Sequence, residues 1–558
     1  MDGLERVGGL EEAFDRIGTS AEHHLEVSHS AGLALAVTDR EEILGVVCRG
    51  LADVAAGTPV RPETRFHIGS ISKSFAGMIA MQEVGAGRLD LHVSVNEILP
   101  WLELPEPFGP ITMHDLMTHT AGLLVGTEDA PTGPGALHRL KTNSATTKPG
   151  ERWLYSNDGW KVVGACLEEV TGEPIHELLQ TRVLGPLGMR DSGGKIDDAT
   201  YQNVAVAYEP LFTDRPVQLR HPLVPAHRII SNTADGSIIS NVVDMSAYAR
   251  LFLARGDVPG HDGQRMLSEA GFDAWIEQRV PDDEGGTYGY GLWAEEFDGV
   301  RWIAHSGGMV GYTAMFAVSP ADGLGCVVMQ NGYGLGLRQL VRAAFACVRA
   351  SLAGEALPDP IVPPAATAIP KAADYEGTYT GEDGRVFEVE VEGGDGLRLT
   401  AGQVSVQLER DPWAEPGDGF LVPHEALERY ALVFGRDERG AVVEAFHGGT
   451  WFRGASYTGP EPGRVPEEWL RCIGFYRSND PWAPTLRVVA RKGALAISWP
   501  NAASDDAEDE ELLPLRDGWF AAGEERDPRR IRFLGNGAGN KAIVAEFNGG
   551  SWFRSFED

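Results

Sequence analysis

Five prolines between Pro358 and Pro370 constrain this chain more than any other feature. A stretch so rich in proline is stiff and extended, and it cannot continue a helix or a central strand. It therefore separates two regions. Before it, helical and strand periodicities are mixed. After it, the helical signals give way to short alternating strands such as Phe387–Val391 and Leu397–Leu399. The tail also repeats itself. Glu376-Gly-Thr-Tyr379 opens one copy and Ile473-Gly-Phe-Tyr476 opens another. Glu444-Ala-Phe-His-Gly-Gly-Thr-Trp-Phe-Arg453 closes the first, and Ala545-Glu-Phe-Asn-Gly-Gly-Ser-Trp-Phe-Arg554 closes the second. Closing each copy into a small antiparallel barrel removes the exposed edges of its strands. The expected boundaries are a mixed region at 1–355, a Pro/Ala-rich linker at 356–372, a barrel at 373–458, a joint at 459–468 and a second barrel at 469–558. The acidic run Asp505–Glu511 reads as a solvated loop of the second copy.

Within the first region, a helix is expected over Leu10–Val27, then a hairpin of Gly32–Thr38 and Ile43–Arg49 about the charged Asp39–Glu42. Helical spacing follows Ser70, with Ile71, Phe75, Met78 and Ile79 apolar, and recurs at Gly164–Thr171 and Met245–Ala254. Strands are expected at Arg301–His305, Tyr312–Val318 and Gly325–Gln330, then a helix at Leu337–Leu352. Strands at both ends with helices between them predict one sheet built from the two ends, carrying a helical insertion.

The chain holds 81 acidic and 48 basic residues, a net charge of −33, which argues against nucleic acid or an anionic membrane as a partner. No stretch is apolar for long enough to span a bilayer. The opening Met1–Glu12 lacks the basic-then-apolar order of a leader, and the five scattered cysteines read as buried thiols, so a cytoplasmic location is expected. There is no H-E-x-x-H and no paired-cysteine pattern, so neither a metal nor a cofactor is expected.

The chemistry-bearing residues are in order along the chain. Ser70 and Lys73 stand three apart where an extended segment gives way to a helix, which sets an amine one turn from a hydroxyl. A serine attacks poorly unless a base takes its proton. Tyr155-Ser-Asn157 lies in a Gly/Asn/Asp-rich loop, where a phenol can relay a proton and an amide can hold a substrate or the lysine. His305-Ser306-Gly307-Gly308 ends a strand-like run; the histidine can steady a substrate carboxylate or assist the tyrosine, and the residues after it let a substrate backbone approach. Alone, each of these is more commonly structural: the tyrosine a packing residue, the histidine a surface one.

Together, Ser-x-x-Lys, Tyr-x-Asn and His-x-Gly resemble the serine β-lactamase and penicillin-binding-protein superfamily, and more closely its class C β-lactamase-like hydrolases. Ile111–Gly122, Pro186–Met189 and Ile239–Met245 match the same family, so the resemblance covers about residues 25–350. It implies an α+β fold: an antiparallel sheet flanked by helices plus a helical subdomain, followed here by two small lipocalin-like barrels. It implies Ser70 as nucleophile, Lys73 and Tyr155 as base and relay in an order left open, and Asn157, His305, Ser306 and Gly307 as positioning groups. The N–H groups of Ser70 and Gly308 would form the oxyanion hole. True β-lactamases carry lysine where this chain has His305, whereas D-aminopeptidases and related esterases carry His-x-Gly. A D-aminopeptidase-like hydrolase of short peptides, amides or esters is therefore expected. The alternatives are a broad esterase, a β-lactamase-like hydrolase, a peptide-cyclising thioesterase and a non-catalytic sensor. The expected partner is a small molecule or short peptide, with a homodimer as one assembly.

Overall fold

The computed structural model describes residues 10–555, apart from 124–136, 139, 141–146, 500–509 and the single positions 105, 262, 284, 415, 462 and 527. It divides into two compact units. The first comprises the described residues up to Glu209 together with Leu223–Val362; the second comprises Pro210–Pro222 and the residues from Pro363 onward. The sequence reading leaves Pro210–Pro222 in the first region, so this grouping is a difference.

The first unit is built on a nine-stranded antiparallel sheet. In order across the sheet the strands are Thr58–Pro59, Ile43–Asp53, His29–Thr38, Leu324–Tyr333, Tyr312–Ser319, Val300–Met309, Trp293–Phe297, Thr287–Tyr288 and Val280–Pro281. His29–Thr38 pairs with Leu324–Tyr333, so the two ends of the region meet in mid-sheet. Helices Glu11–Val27 and Leu337–Ala353 bury Phe14, Ile17, Val341 and Phe345 against Leu33, Leu35 and Val37 of the sheet. Each apolar residue removed from water there stabilises the fold by about 1.5–3 kcal/mol.

Helix Ser72–Gly85 is buried along almost its whole length, with Ser72, Lys73, Ser74 and Glu83 as buried as Phe75, Met78 and Ile79. Phe75 stacks on Tyr248 of helix Val242–Leu253 at 3.8 Å, and the Ser74 and Tyr248 hydroxyls bond at 2.8 Å. Two boundaries differ from the sequence reading. Helix Asn157–Thr171 is capped by the Ser156 hydroxyl accepting from Gly159 N–H, so the helix expected from Gly164 begins seven residues earlier. Strand Val300–Met309 runs through both glycines after His305.

In the second unit, Gly474–Arg554 closes into an eight-stranded barrel. Gly377–Gly454 forms eight strands in the same order, but Val404–Gln407 and Gly419–Phe420 stay unpaired at its edges. A single bridge, Glu409 to Leu421, joins that seam. Of the acidic run, Glu510 and Glu511 open strand Glu510–Pro514, and Asp505–Asp509 lie outside the described residues.

Candidate active site

Ser70 sits in the single 3-10 turn Gly69–Ile71 that leads into helix Ser72–Gly85. Two contacts set that turn. Gly69 has φ +51°, and a Cβ there would lie 2.3 Å from Gly308 O. A Cβ on Gly307 would lie 1.8 Å from Ile68 O. Only glycine at both places lets strand Val300–Met309 press against the serine turn. That contact brings the Gly308 backbone beside the backbone of Ser70.

Lys73 is fully buried. Its Nζ donates to Ser70 Oγ at 2.9 Å, to Asn157 Oδ1 at 2.8 Å and to the Asp235 carbonyl at 3.0 Å. Tyr155 Oη donates to Ser70 Oγ at 2.8 Å, and Lys73 Nζ stands 4.9 Å from the Tyr155 ring centre. Ser70, Tyr155 and Asn157 are half-buried, so the cluster is sealed on the lysine side and open on the serine side. Two candidate proton carriers thus touch one hydroxyl, an arrangement suited to activating it for attack on a carbonyl.

His305 is buried and is not bonded to Ser70, Lys73 or Tyr155. Its Nδ1 donates to Ser306 O at 2.5 Å, its Nε2 accepts from Tyr288 Oη at 3.1 Å, and its ring stacks on Trp293 at 4.4 Å. Burial first, and the nearby Lys73 charge second, push its pKa down to about 3. Both nitrogens of the His305 ring are thus engaged within the protein, and the ring brings no positive charge to this motif. Ser306, the next residue on the strand, is exposed.

Three further groups belong to this neighbourhood and carry no motif of their own. His119 has φ +59°, its Nδ1 accepts the Ser156 N–H at 2.9 Å, and its ring lies 4.3 Å from that of Tyr155. Burial, then Lys73 and His305, hold its pKa well below the ordinary value. His119 falls in the matched stretch Ile111–Gly122, and that was its only signal. Tyr288, from the Tyr-Gly-Tyr-Gly run at 288–291, closes over His305; a Cβ on Gly291 would meet the Lys73 backbone at 2.8 Å. Asp235 lends its carbonyl to Lys73, while its buried Oδ1 has no hydrogen-bond partner among the described residues.

A serine, lysine and tyrosine bonded together where a helix meets an antiparallel sheet define a serine hydrolase of the acyl-transfer kind. The comparisons with known proteins make the family specific. The beta-lactamase family profile matches residues 20–346, and the chain belongs to that family. It is 28% identical over 397 residues to penicillin-binding protein 4 of Amycolatopsis lactamdurans, across 67% of this chain and 97% of that one. It is 27% identical over 315 residues to the D-aminopeptidase of Brucella ovis, across 54% of this chain and 56% of that protein. Among solved structures, the octameric penicillin-binding protein homologue from Pyrococcus abyssi superposes with a TM-score of 0.53 at 24% identity, over 81% of this chain and all of that chain. That last likeness is one of fold.

Proposed function

We propose that this enzyme hydrolyses amides and esters of short peptides that carry a free amino group, with a preference for D-residues, through an acyl-enzyme on Ser70. Ser70 Oγ attacks the carbonyl carbon while its proton passes to Lys73 or Tyr155. The tetrahedral oxyanion is held by the N–H groups of Ser70 and Gly308, a device worth about 3 kcal/mol per donor. Tyr155, bonded to Ser70 Oγ, hands a proton to the leaving amine or alkoxide, and water releases the acyl group.

The observation that carries the substrate reading is electrostatic. His305 brings no positive charge to the third motif, where a penicillin carboxylate would need one. Asp235 instead supplies a buried carboxylate oxygen without a partner among the described residues, next to the carbonyl that holds Lys73. Buried unsatisfied oxygens call for an explanation, and a substrate ammonium is a fitting one. The D-configuration is supported by the likeness to the D-aminopeptidase of Brucella ovis.

The test is kinetic. D-alanine p-nitroanilide should be cleaved faster than its L-isomer and than its N-acetylated form, and Asp235→Asn should raise KM for the free amine alone. Equal rates for amine and N-acetyl substrates would overturn the amine-binding reading. Ser70→Ala should abolish both turnover and labelling by a fluorophosphonate; full labelling would remove Ser70 from the mechanism.

A further inference from the structure

The two barrels of the tail share strand order but not filling, and one residue explains the difference. In the second barrel, Phe547 faces Gly550 across a two-residue turn, Asn548-Gly549, with φ of +49° and +84°. Asn-Gly is the preferred pair for such a corner. In the first barrel, histidine stands where the repeat has that asparagine. The corner moves on to Gly448-Gly449, and His447 faces Thr450. A shift of one residue turns every side chain of a strand to its other face. Trp552 therefore points inward and leaves Phe553 60% exposed, whereas in the first barrel Phe452 is the inward residue.

By register, His447 and Phe452 occupy the places of Phe547 and Trp552. Counting two residues on from the paired Val389–Leu399 and Val488–Ile497 puts Ala401 at the place of Trp499. In the second barrel these three aromatics touch, with ring centres 5.7 Å apart for Trp499 and Phe547 and 5.8 Å apart for Phe547 and Trp552. In the first barrel the space they would fill is a cavity of about 400 Å³, walled by Phe387, Leu399, Ala401, Leu432, His447 and Phe452. An eight-stranded barrel has an interior just wide enough to be filled by side chains or to hold one small ligand.

The polar end of the cavity has a charge of its own. Arg385 lines it, with Nε bonded to Asp383 at 2.6 Å, Nη2 bonded to Thr450, and no bond from Nη1 among the described residues. The charges of Arg385, Arg487 and Arg491 all bear on His447, whose Nε2 donates to Leu427 O at 2.9 Å. Of the three, Arg385 lines the cavity itself, while Arg487 lies over the rings of Tyr430 and Phe475 and Arg491 over that of Phe446.

We propose that the interior of the first barrel is a binding site for a small amphipathic anion, a carboxylate with a medium-length hydrocarbon chain, its chain against Phe387 and Leu399 and its carboxylate at Arg385. A volume of 400 Å³ suits such a molecule. Arginine is the residue best shaped to take a carboxylate.

Decanoate is the probe, titrated calorimetrically into the full chain. Saturable one-to-one binding is expected, about tenfold weaker in Arg385→Gln, as loss of one charge-assisted bond implies. Binding should vanish when Ala401→Trp and His447→Phe restore the filling of the second barrel. Decanol should bind less tightly than decanoate. No saturable binding, binding indifferent to Arg385, or decanol binding as well as decanoate would each overturn the assignment. Should the filled variant not fold, a diazirine analogue of decanoate on the wild-type chain decides. Adducts within residues 385–452 support the site; adducts only elsewhere, or none at saturation, refute it.

Discussion

Three donors on Lys73 and one on Tyr155 converge on a few oxygens, so small rotations at this cluster matter more than chemistry at its edge. His119 governs one such rotation. It accepts the Ser156 N–H, and Ser156 is the residue between Tyr155 and Asn157. Its ring also packs on that of Tyr155. His119→Phe removes the acceptor and leaves a buried N–H unpaired, at a cost of about 1–3 kcal/mol. The expected outcome is a fall in kcat of tenfold or more with KM little changed, since misplacing a reacting group by about 1 Å costs up to 100-fold. His119→Asn tolerates the left-handed backbone and keeps an acceptor, so it should recover part of the loss. Steady-state kinetics on both variants check this; equal damage would reduce His119 to a packing residue. The positions of Ser70, Lys73, Tyr155 and Asn157 were legible in the sequence, because helical spacing and chain order constrain them. The engagement of both His305 nitrogens was not, because it depends on Tyr288 and on the Ser306 carbonyl standing beside the buried ring.

At the scale of elements, the serine turn and the strand that carries Gly307 and Gly308 hold each other in place. Gly307→Ala would drive a Cβ into Ile68 O, and neither backbone has a flexible group that can yield. Parting them displaces the Gly308 N–H from the oxyanion position. The expected effect is a loss in kcat of about 100-fold, comparable to deleting an oxyanion donor, with far-UV circular dichroism unchanged. Full activity in that variant would separate Gly308 from the mechanism. The sheet and its flanking helices were readable because alternation and helical spacing report burial directly. The register of the barrel hairpins was not: the repeat aligns Trp451 with Trp552, yet Trp451 is bonded to Glu444 on the outward face while Trp552 lies in the barrel core. A pattern of residue types does not reveal which glycine takes the corner until the histidine–asparagine difference is weighed against backbone φ.

Over the whole molecule, two sets of buried ionisable groups decide stability. In the second unit, Glu428 is buried and is bonded by Arg215 at 2.7 Å and by Arg220. This pairing ties Pro210–Pro222 into the unit, a link no periodicity could announce. Glu428→Ala removes the carboxylate that Arg215 and Arg220 share and should cost about 3 kcal/mol, the lower end for breaking a buried pair because Arg215 keeps Asp214 at 2.9 Å and the arginines keep some water. Chemical denaturation of that unit measures it. In the first unit, His67 and His305 have pKa values pushed down by burial to about 3, and His119 is held well below its ordinary value. Unfolded, each would titrate near 6.5. Between these limits the unfolded chain binds protons that the folded chain refuses, so stability falls as the pH drops below 6.5 and is level above it. At pH 5 His67 and His305 each withdraw about 2 kcal/mol, a large share of the stability of an ordinary domain, and His119 acts in the same direction. Asp244, whose pKa burial raises, opposes this only at lower pH. His67 is the informative variant, because neither of its ring nitrogens has a partner among the described residues and its ring packs on those of Tyr312 at 4.4 Å and Tyr201 at 5.4 Å. His67→Leu should flatten the acid limb of stability against pH by one proton, about 1.4 kcal/mol per pH unit. Denaturant midpoints from pH 5 to 8 read that slope directly, and an unchanged slope would mean that His67 already carries its proton in the folded enzyme.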